Sequence, residues 1–375
     1  MKVVISGYVG KKLTGIARNL IPYLEHVDEE NEYVVYTNFD IKNEFIINKR
    51  NVIVKEYNVS KNSSIGNLLW TTFVFPFIAL KEKADAVVIP NFTLLLFKFK
   101  PTIWILHDLI EFNVENKFSK LRMFYRKRIA DPISAKNASH IVTVSYNSKL
   151  DIIKYLRVKE EKITVIYNGV DRDKFKVIDK NKAKSDVAKY SINGSFILFI
   201  GTIDFPGKNV HGLIKAFEIL KSNNRYDGNL VLIGGKGHGY DDIVNLVNNS
   251  KYNDSIIMPG YVSDDDIVSF YNACDIFCFL SYYEGFGAPP LEALACGAKV
   301  LVSDKSSLPE VVGDVGCTTS IEDDKVVANS IDAMLKSKNI YSDNHEKYES
   351  HLKKFNWNEY ADSFLNVIKN IVRRS

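Results

Sequence analysis

Short apolar runs alternate with longer stretches of helical periodicity along most of this chain. Runs at 2–6, 33–37, 52–56, 86–89, 102–106, 140–144 and 163–166 read as strands, with helical patterns at 13–24, 65–80, 120–138 and 147–155. Strands that are apolar throughout, rather than on alternate positions, belong to a parallel sheet covered on both faces. The pattern stops at 168–195, a polar, lysine-rich stretch with the composition of a linker, part of it compatible with helix. A second series follows, with strands at 196–200, 229–233, 255–258, 275–279 and 299–302 and a helix at 210–220. The reading is an α/β protein of two doubly wound, Rossmann-like domains, 1–170 and 171–355. Ligands of such sheets sit at the carboxyl ends of the strands, so a central cleft between the domains is the expected site.

Length supports two domains, since 375 residues exceed one comfortable core. Charge adds an asymmetry: residues 1–170 carry 25 Lys and Arg against 17 Asp and Glu, and residues 171–375 carry 24 against 28. Different partners for the two halves follow from that imbalance. The four cysteines, Cys274, Cys278, Cys296 and Cys317, include no C-x-x-C pair, and buried reduced thiols are expected rather than a zinc site. Met1 and Lys2 run directly into a strand, so no leader is expected and the location is read as cytoplasmic. The longest apolar stretch, 68–80, is too short to span a bilayer and is expected to stay inside the protein.

Candidate chemistry concentrates at 281–297, SYYEGFGAPPLEALACG. Gly285 and Gly287 permit a tight turn after a strand, and Pro289 and Pro290 fit the start of a helix. Glu284 then lies in the turn and Glu292 in the first helical turn, beside a dipole end that suits a diphosphate. By itself the same pattern also fits capping and dipole compensation. In the first half, Gly7, Gly10 and Gly15 follow the first strand without forming G-x-G-x-x-G, which argues against a nicotinamide cofactor. Gly15 either lets the backbone approach a ligand or is a flexible turn.

The full string resembles the Glu–seven residues–Glu signature of the family 4 retaining glycosyltransferases, of GT-B fold. The likeness continues in Gly260-Tyr-Val-Ser263, Tyr271-x-Ala-x-Asp275, Ser307-Leu-Pro-Glu-Val-Val-Gly313, Gly201-Thr202 with Lys208-Asn209, Gly234-Gly-Lys-Gly237, Asn168-Gly-Val-Asp171 and Thr14-Gly-Ile-Ala-Arg18. It implies that residues 356–375 form a helix packing back on the first domain. It also implies site roles. Lys208 would neutralise the donor diphosphate, with Asn209 beside it. The family's usual second cation is replaced by Thr202, so Lys236 or main-chain N–H groups would supply that contact. Glu292 would hold the ribose hydroxyls, and Glu284 the transferred sugar. The main chain at Gly285, Phe286, Gly287 and Ala288 would bind sugar and phosphate, groups near Val262 would read the base, and Gly15 would approach the phosphates or acceptor. His107 would line the reaction centre, and Asp108 would orient nearby backbone.

The implied function is metal-independent hexose transfer, without a cofactor, from a nucleotide-diphosphate sugar to a saccharide or polyprenyl-diphosphate-linked acceptor in surface polysaccharide assembly. The variants resemble mannosyltransferase-like members, which favours GDP-mannose over UDP- and dTDP-sugars. Alternatives are a synthase acting on a small free sugar or sugar phosphate, and a non-catalytic nucleotide-sugar-binding protein. Residues 117–128 carry six cations and no acid, with Phe118, Leu121, Phe124 and Tyr125 at helical spacing. Two readings fit: contact with the inner face of the plasma membrane or a lipid-linked acceptor, or a solvated cationic face over a packed apolar stripe. No nucleic-acid-binding motif accompanies the charge.

Overall fold

A computed structural model describes residues 1–7, 15–37, 47–57, 64–90, 92–114, 119–338 and 340–374. Gly10, Thr14, Lys117 and Phe118 lie outside the described residues. The chain divides into two compact units, Met1–Gly169 with Phe355–Ser375, and Val170–Lys354.

The first unit holds β1 (Lys2–Ser6), β2 (Glu32–Thr37), β3 (Val52–Glu56), β4 (Ala86–Ile89), β5 (Thr102–Ile105), β6 (His140–Thr143) and β7 (Ile163–Val165). Among the described residues they form a seven-stranded parallel sheet in the order β3-β2-β1-β4-β5-β6-β7. The order reverses between β1 and β4, which is the topological switch point where such sheets bind ligands. β1, β4 and β5 are buried nearly throughout, as their unbroken apolar runs require.

A helix over Trp357–Arg373 completes this unit's core. Its Tyr360 and Phe364 rings meet Tyr23 at 5.7 and 5.0 Å, and Ile368 and Ile371 join the same apolar cluster as Val3, Leu20 and Leu24. Trp357 lies so close to Gly169 that a Cβ there would come within 2.5 Å of the indole.

Two expectations are corrected in this unit. The apolar stretch 68–80 is not wholly inside. Trp70, Thr71, Thr72, Phe75 and Ala79 are buried, whereas Leu69, Phe73, Phe77 and Leu80 are exposed. The predicted continuous helices at 65–80 and 120–138 are each interrupted by a π-helical turn, at Trp70–Val74 and Arg126–Ala130. Each turn directly precedes a segment whose second residue is proline, Pro76 or Pro132. Proline has no N–H to give to the residue four before it, and the wider turn absorbs that break.

The second unit holds β8 (Phe196–Ile200), β9 (Asn229–Ile233), β10 (Ile256–Gly260), β11 (Ile276–Phe279), β12 (Val300–Ser303) and β13 (Cys317–Thr319). Its parallel sheet runs β10-β9-β8-β11-β12-β13 among the described residues, with the switch point between β8 and β11. The lysine-rich stretch joins this body. Its helix Lys180–Ala188 is tied to the helix Asp266–Ala273 by Ser269 Oγ donating to Asp186 Oδ2 at 2.8 Å. Cys274, Cys278 and Cys296 are buried, but Cys317 is exposed, because β13 is an edge strand.

Candidate active site

The candidate site of the second unit is built at the carboxyl ends of β8 and β11. Past β8, the chain runs beside the segment past β9. Ile203 N donates to the Gly235 carbonyl at 3.0 Å, Gly237 N to the Ile203 carbonyl at 3.0 Å, and Phe205 N to the His238 carbonyl at 2.7 Å. In this zipper Lys236 pairs with Ile203, the residue after Thr202, and both Thr202 and Lys236 are exposed. Gly234 makes it possible: a Cβ there would sit 1.7 Å from the Gly201 carbonyl oxygen. The Lys236 ammonium lies 5.1 Å over the Tyr240 ring.

After the zipper the chain turns back, and Asn209 N donates to the Pro206 carbonyl at 2.8 Å. Asn209 is buried in a left-handed conformation and caps the helix Val210–Ser222, where its side chain fills the space left by the missing Cβ of Gly212. The turn puts Lys208 over the face of Phe279, the last residue of β11, at 5.2 Å from the ring centre. Its ammonium pairs with the Glu284 carboxylate. Both side chains keep some exposure, 23% for Lys208 and 16% for Glu284, so the pair is screened but reachable.

The turn bearing Glu284 is held by serines. Glu284 N donates to Ser306 Oγ at 2.9 Å, while Ser307 Oγ reaches the Glu284 and Phe286 carbonyls at 3.0 and 2.6 Å. Ser303 Oγ, at the end of β12, donates to the Ser281 carbonyl at 2.6 Å. Gly287 follows with φ of 116°, against Leu308, and a helix begins at Ala288. The start of this helix differs from expectation in two ways. Glu292 is its fifth residue, a turn further in, and the first turn carries no acid. Pro289 and Pro290 also remove two of the N–H groups that a helix start normally offers, leaving Ala288 and the preceding glycine turn to present donors. Glu292 Oε2 accepts a hydrogen bond from Tyr271 Oη at 3.0 Å, and the buried Tyr271 ring fixes that carboxylate. Val262 is buried beside Tyr261, which is 84% exposed.

The first unit carries the two other predicted positions. His107 follows β5, and its Nε2 is buried with no hydrogen-bond partner among the described residues. The ring is hydrogen-bonded to the Pro90 carbonyl, just past β4, and burial lowers its pKa to about 4 despite that bond. The imidazole is therefore neutral at pH 7, with one nitrogen left over for a ligand. Asp108 Oδ1 accepts from Ile110 N at 3.0 Å, a backbone-orienting use. Gly15 opens the helix Gly15–His26. Gly7 is structural, since a Cβ there would meet Val35 at 2.8 Å.

Two consecutive family matches cover most of the chain: residues 17–174 match Glycosyltransferase Family 4, and residues 181–353 match Glycosyl transferases group 1. The O-antigen chain mannosyltransferase B of Escherichia coli is 30% identical over 295 residues, spanning 78% of this chain and 76% of that protein. The chain belongs to the family 4 glycosyltransferases. The serotype-specific mannosyltransferase WbdA of Escherichia coli is 32% identical over 219 residues, which are 56% of this chain and 26% of WbdA. This family 4 glycosyltransferase thus matches about a quarter of the length of WbdA. Its fold is that of the Anabaena HepE structure with UDP and glucose, with a TM-score of 0.76 at 18% identity over 99% of this chain and all of that one.

The serines of the β12 loop and Tyr271 were missed as positioning residues. Ser307 and Tyr271 lie in stretches the family resemblance had marked, but a serine that bonds backbone 21 to 23 residues upstream leaves no local signal.

Proposed function

We propose that this family 4 glycosyltransferase moves a hexose from a nucleotide-diphosphate sugar to a saccharide acceptor, free or lipid-linked, in polysaccharide assembly, with retention at the anomeric carbon. The observation that carries the proposal is the Lys208–Glu284 pair at the switch point of the second sheet. A partly exposed cation there suits a diphosphate, whose leaving oxygen gains charge as the glycosidic bond breaks. Donor binding would draw Lys208 to the phosphates and release Glu284 toward the sugar. Glu292, held by Tyr271, would accept from the ribose hydroxyls. Thr202, Lys236 and the N–H groups of Gly285 to Ala288 would complete the phosphate contacts, with the backbone at Val262 against the base. The neutral His107 would meet a sugar hydroxyl through Nε2.

In front-face retention, the bond from the anomeric carbon to the phosphate oxygen breaks and the bond to the acceptor oxygen forms on the same face. The acceptor proton passes to the departing phosphate. Lys208 stabilises that phosphate, so no metal is needed in this scheme. The mannosyltransferase relatives at 30–32% identity support GDP-mannose as donor and O-antigen-like glycan as product. Proton NMR of the isolated product tests the stereochemistry: a retained α-anomer is expected, and an inverted centre would exclude the front-face scheme. Transfer in excess chelator should be undiminished, and its complete loss would show that a metal is required.

A further inference from the structure

Three neighbouring segments of the first unit expose apolar side chains. On 68–81 the exposed apolar residues are Leu69, Phe73, Phe77 and Leu80, one stripe at helical spacing, with Phe77 73% exposed. The loop after β4 adds Leu96 and Phe97. The basic helix adds Leu121, at 79%, with Phe124 and Ile129. The loop is fastened to both helices. Thr72 Oγ1 donates to the Leu94 carbonyl at 3.1 Å, and Asn137 Nδ2 to the Leu95 carbonyl at 2.7 Å. The Arg126 guanidinium stacks 4.0 Å over Phe92. Exposed apolar surface shared by adjacent elements marks a contact surface for something outside the unit.

Charge identifies the partner. Segments 64–81, 92–100 and 119–130 carry eight cations and no acid. The expected basic helix is corrected at one position: Arg126 is buried and paired with Glu111 at 3.0 Å, so it is not part of an outward face. Lys81, Lys98, Lys120, Arg122 and Arg128 are exposed. The acid that follows Lys81, Glu82, is occupied by Lys2 and Lys55. Of the apolar stripe considered from sequence, Leu121 and Phe124 are exposed rather than packed, while Tyr125 is half-buried. Apolar side chains flanked by these exposed cations, with the nearby Glu111 and Asp131 buried, match the interface of an anionic bilayer, with rings entering the acyl boundary and cationic groups meeting headgroup phosphates.

We infer that this surface docks the protein on an anionic lipid bilayer, with Phe73, Phe77 and Leu121 inserted and Arg122 and Arg128 at the headgroups. The inference does not depend on the donor reading. The test is flotation of the full chain with phosphatidylglycerol-containing and pure phosphatidylcholine vesicles, using wild type, Phe73→Ser/Phe77→Ser and Arg122→Ser/Arg128→Ser. All four substituted residues are exposed, and unchanged melting temperatures would verify folding. Binding should require the anionic lipid. It should weaken about twenty-five-fold in the arginine pair, since each basic residue near such a leaflet contributes about five-fold, and fall further at high salt. The phenylalanine pair should lose binding at least ten-fold. No binding to anionic vesicles, or equal binding by all three proteins, would overturn the inference. Self-association abolished by the phenylalanine pair, without vesicle binding, would assign the face to a second copy instead.

Discussion

Lys208 and Glu284 stand 76 positions apart and meet only because β8 and β11 are neighbours across the switch point. Sequence marks each of them but not their pairing, which is a consequence of strand order. If Lys208 carries the leaving-group charge, Lys208→Ala should lower kcat about 10²- to 10³-fold, as loss of one preorganised electrostatic partner does. Steady-state donor turnover measures it. Tyr271 is a positioning residue by the same geometry. Tyr271→Phe keeps the ring and removes the bond to Glu292, so KM for the donor should rise about five- to ten-fold with kcat little changed. A matching fall in kcat would place Glu292 in the chemistry rather than in binding. His107 supplies a pH prediction. Its folded pKa of about 4 lies below the ordinary 6.5, so the unfolded chain binds a proton first as pH falls. The His107 contribution should therefore lower stability between about pH 6.5 and 4, and His107→Asn should flatten that part of the pH–stability curve.

At the scale of elements, the glycines and serines around the site fix its loops. Gly234→Ala would drive a methyl group into the Gly201 carbonyl and should destabilise the second unit by more than about 3 kcal/mol, read as a large drop in melting temperature. Ser307→Ala leaves the Glu284 and Phe286 carbonyls without their donor and should cost about 1–3 kcal/mol. Twelve of the described strands were legible, most as continuous apolar runs, and their ranges mostly fall within a residue or two of those observed. The edge strand Cys317–Thr319 was missed, because its sequence CTT carries no apolar run. Helix interiors were less so. The π turns before Pro76 and Pro132 depend on where a missing N–H is absorbed, which periodicity does not encode. The outward stripe on 68–81 was misread for a related reason: an apolar helix reads as buried whenever composition alone is considered. Glu292 lies deeper than the first turn because the helix already begins at Ala288, one residue before Pro289 and Pro290.

For the whole molecule, two tandem doubly wound units were legible from the break in pattern near 168–195 and from motif likeness. The fold and family are thus established, while the chemistry rests on a site read within each unit separately. The most direct measurement of the central claim is thermal unfolding with and without GDP-mannose for wild type, Lys208→Ala and Glu292→Ala. Donor at a hundred times its Kd should add about 2.7 kcal/mol to wild-type stability, a clear rise in Tm, and much less in either variant. An equal rise in all three proteins would place the donor elsewhere, and no rise with GDP-mannose or any other common nucleotide sugar would contradict donor binding at the β8–β11 switch point.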